Sequence, residues 1–285
     1  MVAAGMSAAA AAVPSCGRRG AEAANKAGSA HDATSAVTTV ERVYSASRRR
    51  TLDLVITRPA GHDRADGAVL PVCLFLHGLH GTARSSAPGN LAGELGTGIK
   101  AGTLPPFAIV ALDGGDSYWH HNRPGDDPMA MLLEEVPVWL RERGLGANGV
   151  PFACAGVSMG GFGALLYTRR RNERRDPVAV TAVMAPGLIT TWAEMAKRDA
   201  FRDRADWVAH DPLKHLDALG TGPVGIWCGL DDRFIEGARR FIAAARPKRA
   251  YLAAGGHDDT FFRDCIPDLL RFVGGYAPTR SAASD

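Results

Sequence analysis

The residues of this chain best suited to chemistry are a serine, a pair of aspartates and a histidine, each where an apolar run gives way to a turn. Ser158 stands in Gly156-Val-Ser158-Met-Gly160, between the apolar run 152–157 and a small-residue stretch continuing to Tyr167. G-x-S-x-G at a strand-to-helix turn is the spacing of a nucleophile elbow. The flanking glycines let the backbone double back where a Cβ would collide. The serine Oγ then projects from the sheet edge, and the first helix amides point where a negative oxygen would form. A hydroxyl is a weak nucleophile by itself, so the chain must also supply a base, an acid and an oxyanion site.

The order of the remaining candidates narrows the choice. In α/β hydrolases the catalytic residues run serine, acid, histidine along the chain. Of nine histidines, His257 is the one downstream of the acids that end a strand, and it sits in a Gly-rich turn after the run 251–254. The acid is Asp231 or Asp232, which both follow the apolar run ending at Cys228. The third residue after Gly229 is the usual place for the acid, which selects Asp232 and leaves Asp231 solvated or capping a helix. Ser158 would then attack an acyl carbon, His257 would carry its proton and Asp232 would orient the imidazole.

Two loops complete the expected site. His77-Gly78-Leu79-His80-Gly81 comes directly after the buried run 72–76. The loop after this strand commonly gives one oxyanion amide, so the amides of Leu79 and Met159 are the expected oxyanion donors. The polar and aromatic segment 113–122 comes after the run 107–112, at a strand end where ligands of open sheets bind. His77, Gly78, Asp113, Trp119 and His120 are therefore expected to contact substrate. Adjacent His120 and His121 cannot readily share one ion, so no metal is expected.

These positions need a scaffold, and the hydrophobic pattern supplies one. Apolar strand-like runs at 37–45, 51–57, 72–76, 107–112, 152–157, 178–184, 222–228 and 251–254 alternate, from the third on, with helical stretches at 91–99, 128–144, 159–175, 235–245 and 260–273. Pro137 is expected to kink the second of these helical stretches. The arginines 169–175 are expected to form a solvated helix end. Strand and helix in alternation imply an α/β fold with a mostly parallel central sheet and helices on both faces. Residues 186–221, with Trp192, Met195, Phe201 and Trp207 among many charges, read as a small helical insertion.

Gly156-Val-Ser-Met-Gly-Gly-Phe-Gly-Ala-Leu165, His77-Gly-Leu, Asp113-Gly-Gly with Tyr118-Trp119, and Gly229-Leu-Asp-Asp-Arg-Phe234 together resemble the esterase D-like α/β hydrolases. That group includes S-formylglutathione hydrolases, enterochelin esterases and secreted mycolyltransferases, and the resemblance spans about residues 40–275. It implies a Ser/His/acid site acting on small-molecule or lipid esters or thioesters without a cofactor. The mycolyltransferase serine motif lacks the second glycine pair seen here, and those enzymes use glutamate as the acid. Both differences favour a hydrolase over an acyltransferase passing the acyl group to a sugar or alcohol. A non-catalytic binding protein on the same fold is the third reading, since a fold does not make a function.

Composition bounds the rest. A net charge of +3 is too small to argue for a nucleic-acid partner. Cys73, Cys154, Cys228 and Cys265 sit in apolar runs without metal-ligand spacing and read as small buried hydrophobes. Residues 1–36 are Ala-rich, and their first part resembles the hydrophobic region of an export signal. Cys16 in Val13-Pro-Ser-Cys16 resembles a lipoprotein processing box, an attachment point to a membrane or envelope. The expectation is a secreted or envelope serine esterase whose catalytic domain spans 37–276, with a polar tail at 277–285; a cytoplasmic enzyme with a plain Ala-rich tail is the alternative.

Overall fold

The computed structural model describes residues 36–62 and 69–278. Almost all of the Ala-rich segment, including Cys16, and the polar tail from 279 lie outside the described residues.

Eight strands form one sheet among the described residues: β1 (Val37–Ser45), β2 (Arg50–Arg58), β3 (Val72–Leu76), β4 (Ala108–Leu112), β5 (Ala153–Val157), β6 (Val180–Met184), β7 (Val224–Gly229) and β8 (Arg249–Ala253). Their order is β1-β2-β4-β3-β5-β6-β7-β8. β2 runs antiparallel to both β1 and β4, and every other pair is parallel. The short runs without polar alternation become β3 to β7, buried at every position, as strands covered on both faces must be. β1 and β8 close the edges and expose most of their residues.

Around the sheet lie α1 (Leu91–Lys100), α2 (Pro128–Ala130), α3 (Val136–Glu142), α4 (Met159–Glu173), α5 (Trp192–Ala196), α6 (Arg204–His210), α7 (Ile235–Ala245) and α8 (Asp259–Gly274). Cys73, Cys154, Cys228 and Cys265 are buried and free in this core. Segment 186–221 holds α5, α6 and two 3-10 turns between β6 and β7. No helix of the described residues is long and apolar enough to cross a membrane.

Two details differ from the sequence expectations, and a third carried no sequence signal. Pro137 does not simply kink its helix. The five residues Met131–Glu135 form a π-helical turn between α2 and α3, and the Val136 amide donates to the Met131 carbonyl five residues back. Proline has no amide to give and its ring crowds the carbonyl four residues before it, so the wider turn absorbs the misfit. The arginine run closing α4 is not wholly solvated either. Arg171 is buried, donating to the Tyr167 hydroxyl at 2.7 Å and pairing with Asp176 at 3.0 Å. Arg48, in the turn between β1 and β2, is likewise 2% exposed. Its guanidinium pairs with Asp126 and donates to the Asp113 carbonyl, propping the loop after β4.

Candidate active site

The ends of β3 and β5 are level, with Leu76 paired to Gly156. The loops leaving these two strands therefore meet across the sheet edge, next to the point where strand order reverses. Ser158 comes just after β5 with φ 57° and ψ −121°, an unusual backbone for a residue with a side chain. Its flanks explain why glycine is needed there. A Cβ on Gly156 would stand 2.3 Å from the Gly160 carbonyl oxygen, and one on Gly160 would stand 2.0 Å from that of Leu76.

β7 and β8 are level as well, with Gly229 paired to Ala253, which brings Asp232 and His257 together. His257 Nδ1 lies 2.7 Å from Asp232 Oδ2, and His257 Nε2 lies 3.0 Å from Ser158 Oγ. The other carboxylate oxygen of Asp232 accepts the Phe234 amide at 2.7 Å, so the buried acid presents a single oxygen to the imidazole. A proton on Nδ1 satisfies Asp232 and leaves the Nε2 lone pair facing the serine hydroxyl. Asp231 is exposed and takes no part in this chain of bonds.

Several supporting residues carried no sequence signal. The rings of Phe234 and Phe262 stand edge-on to His257 at 5.0 and 5.1 Å and fix its plane. Asp258 accepts the amides of Thr260 and Phe261, each at 3.0 Å, and so caps α8, and it also accepts from Gly256. That clamp holds the turn carrying His257; an N-cap of this type was legible only as an aspartate before a helix.

The two expected oxyanion amides lie beside the serine. A Cβ on Gly78 would stand 3.3 Å from Ser158 Cβ, so the backbone leading into Leu79 passes directly over the elbow. Among the described residues neither the Leu79 nor the Met159 amide donates to a main-chain carbonyl in a turn or cap.

A cleft of about 500 Å³ opens here, and Gly78, Leu79, Tyr118, Ser158, Phe234 and His257 all line it. A wider depression of about 720 Å³, between residues 216–224 and 244–248, lies at the amino end of β7 and offers neither serine nor histidine.

Of the five expected substrate contacts, Gly78 lines the cleft and the other four do not. His77 is fully buried: its Nδ1 donates to the Gly78 carbonyl at 2.7 Å and its Nε2 accepts the Gly114 amide at 2.8 Å. It bolts the loop after β3 to the loop after β4, and burial holds its pKa below the usual histidine range. Asp113 accepts the amides of Ala83 and Asp53 at 2.7 and 3.1 Å and is a brace for the same loops. Trp119 is wholly buried, filling space that only Gly114 and Gly163 leave free: a Cβ on either would come within 2.4 or 2.5 Å of its ring.

His120 lies elsewhere too. It is 1% exposed, stacks on Phe201 at 4.4 Å and donates from Nε2 to the Ala200 carbonyl at 2.7 Å. It approaches Asp206 and His210, and ligand atoms of the three lie within 4.8 Å of one another. Asp206 is already committed to Arg202, which it meets at 3.2 Å, and His210 Nδ1 donates to the Asp206 carbonyl at 2.8 Å. The loop 113–122 thus faces the cleft through Tyr118 alone. Tyr118 and Trp119 both have positive φ, 53° and 63°, and this double reversal sends the tyrosine to the cleft and the tryptophan beneath it.

A serine–histidine–aspartate chain at the carboxyl edge of a mostly parallel sheet is the arrangement of an α/β hydrolase. The sequence model of the Esterase family, described as "Putative esterase", matches residues 45–238, and the chain belongs to that family, among the esterase D-like α/β hydrolases. Solved structures of the same fold include a ferulic acid esterase (19% identity, TM-score 0.67, covering 85% of this chain and 99% of that one). An S-formylglutathione hydrolase from Agrobacterium tumefaciens shares 19% identity at TM-score 0.64, covering 86% of this chain and 97% of that one. MPT51 (FbpC1) of Mycobacterium tuberculosis shares 17% identity at TM-score 0.61, covering 84% of this chain and 99% of that one. At these identities the likeness is one of fold. No curated protein matches the chain. Family membership supports hydrolysis of small-molecule esters as its activity.

Proposed function

We propose that the chain is a serine esterase that cleaves carboxylic esters or thioesters through an acyl-enzyme. The observation that carries this reading is the unbroken contact from Ser158 Oγ to His257 Nε2 at 3.0 Å and from His257 Nδ1 to Asp232 at 2.7 Å. Ser158 Oγ attacks the acyl carbon as Nε2 takes its proton, and the amides of Leu79 and Met159 hold the resulting oxyanion. The protonated imidazole then donates to the leaving oxygen or sulfur. Water then attacks the acyl carbon and loses a proton to Nε2; the bond to Ser158 Oγ breaks, Oγ takes that proton back, and the acid is released. Asp232 stays ionised throughout, orienting the ring and stabilising its charged form.

Water is the acyl acceptor in this proposal, because the cleft is open and lined by polar residues such as His80, Arg233 and Asp259. A fluorophosphonate should label Ser158, and p-nitrophenyl esters should be hydrolysed by the wild type and not by Ser158→Ala. Equal labelling of the two proteins would sink the assignment. Diversion of most of the acyl group into a new ester on adding trehalose or glycerol would make the chain a transferase instead. Export, with attachment through Cys16, is part of the same proposal, and fractionation of cells expressing the full chain tests it.

A further inference from the structure

The cleft beside Ser158 carries two cations that the proposed chemistry does not use. Arg198, from the turn after α5, and Arg233, next to Asp232 in sequence, both line it. Several arginines elsewhere in the chain meet acids: Arg42 and Arg84 share Asp53, Arg48 and Arg50 share Asp126, and Arg202 holds Asp206. Among the described residues neither Arg198 nor Arg233 makes an ion pair or a side-chain hydrogen bond. The Arg198 Nε is shut off from solvent with no partner. The Arg233 guanidinium lies over the Phe234 ring, 5.8 Å from its centroid, so the cation rests on the aromatic that packs against His257.

The two converge on one place. Burial pushes the Tyr118 hydroxyl up from the usual tyrosine range, and the charges of Arg198 and then Arg233 act on it in the opposite sense. That tyrosine adjoins the nucleophile: its hydroxyl would be 3.4 Å from a Cβ on Gly187, whose amide donates to the Ser158 carbonyl at 2.7 Å. Two acids also line the cleft, on the α8 side. Asp258 is spent on the amides of Gly256, Thr260 and Phe261, and Asp259 is exposed in the first turn of α8. Neither neutralises the arginines.

We infer that the cleft selects esters carrying an anionic group, a carboxylate, sulfate or phosphate on the acyl or leaving side, held by Arg198 and Arg233. A planar guanidinium offers paired donors matched to such an anion, and neither of these two spends its charge on an acid of the chain. The inference rests on the esterase reading.

The test pairs each anionic substrate with a neutral counterpart that lacks the charge. p-Nitrophenyl valerate against p-nitrophenyl hemiglutarate places the charge on the acyl side; 4-nitrophenyl acetate against 3-carboxy-4-nitrophenyl acetate places it on the leaving side. The wild type should favour the anionic member of one pair by about ten- to a hundredfold in kcat/KM, the scale of a charge-assisted hydrogen bond. In the Arg198→Gln/Arg233→Gln double variant that ratio should fall toward one, chiefly through KM, with partial recovery in Arg198→Lys/Arg233→Lys. A ratio near one in the wild type for both pairs, or a preference that survives the double variant, overturns the inference. Failure of the esterase reading looks different: no ester is cleaved and fluorophosphonate does not label Ser158. In that event titration calorimetry of monomethyl glutarate into the Ser158→Ala protein still decides, since binding lost with both arginines supports the subsite and no binding refutes it.

Discussion

Two clusters in this molecule set histidine against a buried aspartate, and they have opposite fates. In one, Asp232 faces His257 at 2.7 Å and meets no cation, so its charge acts on the imidazole. The ring keeps 13% of its side chain exposed and reaches a serine with its other nitrogen. In the other, Arg202 takes the charge of Asp206, and His120 lies wedged between Phe201 and His210. Burial, with the nearby His210 next in weight, pushes the pKa of His120 down to about 4. Burial lowers that of His210 as well. The lesson is that the residue types do not decide the role. Asp232 has no cation competing for it and its imidazole keeps an edge on the cleft, whereas Asp206 is shared with Arg202 and burial holds His120 and His210 neutral.

Four measurements would break or sharpen that contrast. The largest effect should come from Asp232→Asn, which leaves the shape intact but holds the wrong imidazole tautomer; turnover should fall by about 10⁴, with a melting temperature close to the wild type. A loss matched by Asp231→Asn would erase the distinction between neighbours. The reverse pattern is expected of Asp206→Ala. Removing the carboxylate leaves the Arg202 amide without its acceptor and should lower the denaturant midpoint, with kcat/KM changed only a few-fold.

The third test is pH. His120 titrates at about 4 when folded and near the ordinary histidine value of 6.5 when unfolded. Between those values the unfolded chain binds more protons, so stability is lost as pH falls through that window, by up to about 3 kcal/mol from this residue. His77 and His210, also lowered, act in the same direction. The fall in melting temperature from pH 6.5 to 4 should therefore be shallower in His120→Phe than in the wild type. The smallest effect concerns metal. With Asp206 committed to Arg202, micromolar zinc should leave the melting temperature unchanged, and a rise of several degrees that His210→Ala abolishes would make the second cluster a ligand site.

The proposed triad was legible in the sequence because strand ends are where an open sheet presents chemistry, and apolar runs mark strand ends. Gly156 and Gly160 betrayed the elbow through the space they leave, and the chain order of Ser158, Asp232 and His257 admitted few assignments. The lining of the cleft was not legible. Which of the buried pair Tyr118 and Trp119 borders the cleft depends on two successive positive φ values, with Gly114 and Gly163 leaving room for the indole. His77 beside a glycine pair looked like a substrate contact, yet both ring nitrogens are used up within the fold. Arg171 belongs to a charged stretch that pattern alone reads as solvated, and only packing shows it buried.

Between the strands that carry the serine and those that carry the acid and base lies β6. Its last residues tie the halves together: the Met184 carbonyl accepts the Ser158 amide at 2.9 Å, and the Ala185 amide donates to the Trp227 carbonyl at 2.6 Å. The segment 186–221 leaves from β6 and returns at β7, whose ladder pairs Met184 with Trp227. A loop with both ends pinned in this way can double in length for only about 0.6 kcal/mol of closure entropy. The wall that brings Arg198 to the cleft can thus be exchanged or enlarged while the proposed proton path stays where the ladder puts it. Reactivity and choice of substrate are heritable separately in such a molecule, and a lineage can change its diet without relearning its chemistry.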